Sequence, residues 1–291
     1  DKVKLLARGG RRLHIEATLD TIPRLSDLEG LENIEFAPKL ELFNFTPMDN
    51  VARFSPGPRR SVAGDYSDLT GYESGTKVMS FNSAWDAGFF GQGEIASAAD
   101  TGLDMGVPAS LSKDFQGAVS GGASVGIGAA DWSDPMGHGT HVAGSIAGRG
   151  TASGGILKGG AYGAEFFPVG MWSPLLANLS VPPRLAKIFE PARLKGAHVH
   201  SNSWGSAADL GAYDSMAVQV DEFAVQNPDF LIVFAAGNSG VDKDANGVID
   251  PGSVSSPGTA KNALTVGASE NFVMSGGNQK MIKELRNAQL N

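Results

Sequence analysis

Apolar positions recur along the chain in two rhythms, and the change from one to the other divides it. Leu13-His14-Ile15-Glu16-Ala17-Thr18-Leu19 alternates apolar and polar residues as a half-buried strand does, and Ile34-Glu35-Phe36-Ala37 repeats the pattern more briefly. Between them Ser26-Asp27-Leu28-Glu29-Gly30-Leu31 predicts a short helical turn, so residues 1–47 read as a small α+β unit. An irregular stretch follows, with Pro56-Gly57-Pro58-Arg59-Arg60 as an exposed, protease-sensitive link. Within residues 48–291 short apolar runs at 95–99, 166–171, 198–201, 230–235 and 263–268 predict strands, and helical periodicity covers 138–147, 184–195 and 215–226. Strands and helices in alternation predict a doubly wound, mostly parallel α/β sheet covered on both faces. Pro191 is expected to kink or split the second of these helices, because it deletes a hydrogen bond and crowds the preceding turn.

The 291 residues are enough to bury a sizeable core, and a net charge of -8 argues against nucleic-acid binding, which needs a basic surface. No run approaches the roughly 18 apolar residues of a membrane span. Asp1-Lys2-Val3-Lys4 does not open like a signal peptide, so the start reads as processed or truncated. With no cysteine, disulfides, thiol nucleophiles and Cys-ligated metals are excluded. Several of the 39 glycines, including Gly102, Gly137, Gly139, Gly205 and Gly237, stand beside the apolar runs, which points to a site built from strand ends.

Three runs there carry chemistry. Asp100 ends the run Ile95-Ala96-Ser97-Ala98-Ala99 and precedes Thr101-Gly102, a functional position in an open α/β sheet, though a lone Asp-Thr-Gly also reads as a turn or helix cap. His138 lies in Gly137-His138-Gly139-Thr140-His141-Val142-Ala143-Gly144, where small residues let the following helix pack closely. Metal ligation by His138 and His141 is the weaker reading, since no Glu follows as in a zincin, and His141 reads as a packed structural histidine. Asn238 follows Leu231-Ile232-Val233-Phe234 in Ala235-Ala236-Gly237-Asn238-Ser239-Gly240, placing an amide donor at another strand end, with a turn asparagine as the plain alternative.

In this order the three runs resemble the subtilisin family of serine proteases over about residues 49–270. Asp134-Pro135-Met136-Gly137-His138, Asn202-Ser203-Trp204-Gly205 and Ser256-Pro257-Gly258-Thr259-Ala260-Lys261-Asn262-Ala263 are most similar to its bacterial oxidation-tolerant, high-molecular-weight alkaline branch. The resemblance implies peptide-bond hydrolysis, with His138 as general base, Asp100 fixing its tautomer and Asn238 donating to the oxyanion. It assigns Ser203, Trp204 and Gly205, and Ala235, Ala236 and Gly237, to the two walls of the primary specificity pocket, where a protein or peptide substrate pairs as an added strand. Trp204 either narrows that pocket, caps the neighbouring one or is a core aromatic. It further implies that residues 1–47 are propeptide-like, with Asp49-Asn50-Val51-Ala52-Arg53 resembling a mature start and the earlier segment able to fill the cleft as an inhibitor. An accessory α+β extension is the alternative. Extracellular location follows from the resemblance alone.

The family nucleophile lies in a Gly-Thr-Ser-Met-Ala-x-Pro run that this sequence lacks, and Ser275 in Met274-Ser275-Gly276-Gly277 has the wrong context. The expectation is a serine on a C-terminal piece of the same precursor, with the polar tail 278–286 as a cleavage loop. A catalytically inactive relative or a calcium-binding module is the alternative. A Rossmann nucleotide site is excluded, because Gly88-Phe89-Phe90-Gly91-Gln92-Gly93 precedes its strand instead of following it. Asp242-Lys243-Asp244-Ala245-Asn246-Gly247-Val248-Ile249-Asp250 has the spacing of a calcium loop: side-chain oxygens on Asp242, Asp244, Asn246 and Asp250, a backbone carbonyl at Val248, and Ser253 where the closing Glu would stand. A plain acidic turn is the competing reading.

Overall fold

The computed structural model describes residues 3–37, 40–43 and 75–268; the expected mature start, the Pro-Gly-Pro link, Ser275 and the tail lie outside them. In chain order the elements are β1 (Val3–Gly9), β2 (Arg12–Ala17), α1 (Ile22–Ser26), β3 (Leu40–Leu42), α2 (Gly75–Val78), α3 (Phe81–Asp86), β4 (Ile95–Asp100), β5 (Ala123–Ser124) and α4 (His138–Ala147). They continue with β6 (Glu165–Gly170), β7 (Trp172–Ser173), β8 (Asn178–Leu179), α5 (Ala186–Lys195), β9 (Val199–Asn202), β10 (Trp204–Ser206), α6 (Ser215–Gln226), β11 (Leu231–Ala235) and β12 (Leu264–Val266).

Six strands form one parallel sheet in the order β12-β11-β9-β4-β6-β5. Neighbouring residues on a strand serve opposite faces. Thus Ala98 and Phe166 join α4 residues Ala143 and Ala147 in one apolar cluster, while Ala99, Val169, Ile232 and Phe234 join Ile188 and Phe189 of α5 and Val220 and Phe223 of α6 in the other. The sheet is therefore doubly wound, as expected. On the α4 face the cross-strand neighbours Val199 and Leu231, with Leu264 and Val266, remain 44–50% exposed, because among the described residues α4 packs mainly on β4 and β6.

α6 begins on Asp214, whose carboxylate accepts the amides of Met216 and Ala217 at 3.0 and 3.1 Å, a cap of about 1 kcal/mol. Of the expected kink or split, the split does not occur: α5 runs through Pro191 as one helix. Ala192 and its neighbours Ile188 and Phe189 are buried, and this packing holds the proline in a continuous helix.

Ahead of the sheet, β1 and β2 make an antiparallel hairpin turning at Gly10, which has φ +58. It touches the rest through Gly9 against Pro183 and Arg184 and through Arg12 with Glu222 at 3.9 Å. The strand expected at residues 34–37 is absent: all four residues are exposed and none pairs with another strand. The pairing goes instead to Leu40–Leu42.

Candidate active site

The carboxyl edge of the sheet brings the three chemical runs together. Asp100 is the last residue of β4 and His138 the first of α4, which lies across β4. The close approach depends on Gly139, where a Cβ would stand 2.2 Å from the Gly102 carbonyl oxygen and 3.1 Å from the Asp100 Cβ. Thr101 adds a pin, its hydroxyl accepting the Gly139 amide at 2.8 Å. Asp134, buried before the helix, accepts the amides of Met136 and Gly137 on one oxygen and the amide and hydroxyl of Thr140 on the other, at 2.7–3.0 Å. A carboxylate there also complements the positive end of the helix.

His138 Nδ1 stands 2.6 Å from Asp100 Oδ1, which also accepts the Thr101 amide at 2.6 Å. His138 Nε2 stands 2.6 Å from the Phe43 carbonyl oxygen. A carboxylate and a carbonyl both accept, so the ring satisfies both only as an imidazolium with two N–H donors. Burial opposes that charge, but the Asp100 carboxylate outweighs it, with help from the Phe43 carbonyl and Asp134, and His138 is held above its ordinary value of 6.5. Burial likewise pushes the Asp100 carboxyl up, against the pull of His138 and the Thr101 amide.

β3 runs antiparallel to β10, pairing Leu42 with Trp204, Glu41 with Gly205 and Leu40 with Ser206. The Phe43 amide continues the ladder, donating to the Ser203 carbonyl at 2.8 Å. The Phe43 side chain is 1% exposed and lies between the two expected walls: a Cβ on Gly205 would fall 2.7 Å from its Cε2, and one on Gly237 3.6 Å from its Cζ. Burying a phenylalanine is worth about 1.5–3 kcal/mol. Ala235 and Ala236, half-buried, lead into Gly237, with the Ala236 carbonyl accepting the Ser255 amide at 2.9 Å. Asn238 is exposed, and its Nδ2 donates to the Leu42 carbonyl at 3.3 Å.

Ser203, Gly205, Ala235, Ala236, Gly237 and Asn238 are thus brought to the strand that Asp100 and His138 face. Trp204 contributes backbone only: its ring is fully buried, edge-on to Phe234 at 5.4 Å, in the cluster that also holds Leu40 and Leu179. It is the core aromatic of the three readings. His141 is exposed, not packed, because it lies on the side of α4 opposite the buried stripe of Gly139, Ala143 and Ala147. Sequence reasoning missed β3 and Asp134. The signal for the first was the alternation Leu40-Glu41-Leu42 before an aromatic, and for the second an aspartate four residues ahead of the histidine.

The acidic loop is a turn held by its own amides. Asp242 accepts from Asn246 and Gly247 at 3.0 and 2.7 Å, Asn246 Oδ1 accepts from Val248 at 2.8 Å, and Asp250 accepts from Lys243 at 3.3 Å. Asp244 accepts from the Asn246 side chain at 2.9 Å. Among the described residues no three His, Cys, Asp or Glu side chains converge as a metal site, so in this arrangement the loop does not fit a calcium cage.

A parallel α/β sheet carries a buried carboxylate–imidazole pair at its carboxyl edge, beside a cleft that accepts an added strand, an arrangement suited to moving a proton. Residues 91–289 match the subtilase family, and the chain belongs to that family of subtilisin-like serine proteases. It is 34% identical over 215 residues to the serine protease/ABC transporter B family protein tagD of Dictyostelium discoideum, covering 67% of this chain and 11% of that one. Subtilisin Savinase of Lederbergia lenta is 30% identical over 187 residues, covering 64% of this chain and 60% of the relative. The chain thus spans about a tenth of the Dictyostelium relative's length. Fervidolysin from Fervidobacterium pennivorans, a keratinolytic enzyme related to subtilisin, superposes with a TM-score of 0.42 at 26% identity, over 63% of this chain and 27% of its own.

Proposed function

We propose that the protein is a serine endopeptidase in which His138 takes the proton of a serine hydroxyl and returns it to the leaving amine. Asp100 fixes the ring with Nδ1 protonated and stabilises the imidazolium, and Asn238 donates to the tetrahedral oxyanion. The observation that carries this reading is the 2.6 Å contact of His138 with Asp100, buried at a strand end, while Nε2 faces a peptide carbonyl in the cleft. The serine belongs, in this reading, to a C-terminal piece of the same precursor. Residues 1–47 act as a propeptide whose end fills the cleft, and the protein works outside the cell. Among the described residues no helix is long and apolar enough to cross a membrane.

Hydrolysis of a peptide amide tests the assignment. His138→Ala and Asp100→Asn should each lower kcat by about 10⁴-fold or more. Asn238→Ala should lower it by about 10²–10³, the size established for the oxyanion asparagine of subtilisin, with KM little changed. Full activity in the His138 variant would overturn the reading. Calcium belongs to this reading only if the loop rearranges: Asp250 would have to leave the Lys243 amide and converge on Asp242 and Asp244. A fall in Tm on adding a chelator would support that rearrangement, and an unchanged Tm would contradict it.

A further inference from the structure

We infer that Ser255 gives the specificity pocket a hydrogen-bonding floor, so that tyrosine is taken in preference to phenylalanine as the residue before the bond that is cut. This rests on the endopeptidase reading above, in which residues 203–205 and 235–237 are the walls of that pocket.

Ser255 stands just ahead of the Ser256-Pro257-Gly258 run. Its amide donates to the Ala236 carbonyl at 2.9 Å, which seats it behind the second wall. Both flanking residues are tied down. The Val254 carbonyl accepts the Gly211 amide at 2.7 Å, the Ser256 carbonyl accepts the Ser206 amide at 2.7 Å, and Ser256 Oγ donates to the Asp214 carboxylate at 2.5 Å. Ser255 itself is fully buried, and among the described residues its Oγ has no hydrogen-bond partner. A buried hydroxyl in that state forfeits the bonds it makes with water in the unfolded chain. The group is thus fixed in place with its capacity to donate and to accept unused.

Two glycines locate that hydroxyl against the pocket. A Cβ on Gly237 would fall 2.5 Å from Ser255 Oγ and 3.6 Å from Phe43 Cζ, so the hydroxyl and the tip of the ring flank one small space. On the other wall a Cβ on Gly205 would fall 2.8 Å from the same Cζ and 2.7 Å from the Ser256 carbonyl oxygen. Two polar groups, Ser255 Oγ and the Ser256 carbonyl, therefore bracket the far end of the pocket, and the glycines keep the approach to them open. A phenylalanine presents only a C–H there and leaves Ser255 unpaired. A tyrosine in the same seat carries its hydroxyl on Cζ, where it can donate to the Ser256 carbonyl or exchange a hydrogen bond with Ser255 Oγ. Buried phenol hydroxyls take a partner, and a pocket holding one ready rejects the analogue that lacks the hydroxyl more strongly than an apolar pocket does.

The test is competition in one solution, with the full protein, among three peptides alike except at a single aromatic position that holds tyrosine, phenylalanine or para-methylphenylalanine. Cut bonds and rates are read by mass spectrometry, with fluorophosphonate labelling of the serine in parallel. The methyl analogue matches tyrosine in length without its hydrogen bond, so size and polarity separate in the unaltered protein. The expected kcat/KM for tyrosine exceeds both others by about tenfold or more, and Ser255→Ala brings the tyrosine-to-phenylalanine ratio to about one. A ratio taken within one protein does not depend on how much of it is folded, so a merely structural role for Ser255 would leave it unmoved. A labelled protein that cuts after phenylalanine or the methyl analogue as fast as after tyrosine overturns the role of Ser255 and leaves the protease reading standing, as does an unchanged ratio in Ser255→Ala. A labelled protein that spares the aromatic position overturns the pocket assignment with it. An unlabelled protein that cuts none of the peptides overturns the endopeptidase reading and this inference together.

Discussion

Gly139 and Gly144 lie five residues apart on α4, and replacing each by alanine should move stability in opposite directions. At Gly139 the new methyl would stand 2.2 Å from the Gly102 oxygen and 2.8 Å from the Gly102 nitrogen, both backbone atoms. Ordinary carbon–oxygen contact begins near roughly 3.3 Å, so α4 must retreat by about 1 Å. It is pinned against retreat by Thr101 and by the four bonds to Asp134. Overpacking of this kind costs about 1–3 kcal/mol. At Gly144 a methyl meets none of the described residues within 4 Å, in a helix where alanine is favoured over glycine by about 0.8–1 kcal/mol. The two variants should therefore differ by about 2–4 kcal/mol in urea unfolding at constant m-value. Gly139→Ala should also lengthen the His138–Asp100 contact, visible as a loss of the hydrogen-bonded imidazole N–H resonance. If Gly139→Ala is as stable as Gly144→Ala, the packing argument for the site fails.

Other outcomes follow from the same geometry. Asp134→Ala strands the amides of Met136, Gly137 and Thr140 and should lower stability by about 1–3 kcal/mol in urea titration; an unchanged midpoint would refute its capping role. His200 is fully buried between Phe189 and Phe230, donates from Nδ1 to Ser97 at 2.9 Å, and burial lowers its pKa to about 3. The unfolded chain then binds the extra proton below pH 6.5, so stability falls with acidification by about 1.4 kcal/mol per pH unit from 6.5 towards 3. Comparison with His200→Gln at pH 5 and 7.5 isolates the slope, and parallel curves would contradict it. For His138 the folded value is raised, so its contribution is complete below 6.5 and fades as pH rises through that higher value. Amide exchange at Leu42 and Phe43 should accelerate over that alkaline window beyond the intrinsic rate, and a ratio to intrinsic exchange that is flat with pH would count against an imidazolium tether.

The sheet and the Asp100–His138 pair were legible in sequence for one reason: their signals are local. The helices 138–147 and 215–226 are found at the expected bounds, since an apolar stripe and a terminal turn lie within a dozen residues. Asp100, His138 and Asn238 each stand at the end of an element whose period is readable. What sequence did not disclose is set across the fold. Leu40–Leu42 is a strand because β10, far along the chain, supplies its partner, and residues 34–37, with the more regular alternation, lack one. Pro191 stays helical because tertiary burial outweighs a local penalty. Trp204 belongs to the core because alternation on β10 turns its ring inward while its backbone serves the cleft.

The most direct test of the central claim is intact mass spectrometry of the purified protein after treatment with a fluorophosphonate. The account predicts one added probe on one serine of a C-terminal piece that purifies with this chain, with labelling abolished in His138→Ala and reduced in Asp100→Asn. A protein that takes no probe, or takes it equally without His138, would contradict it.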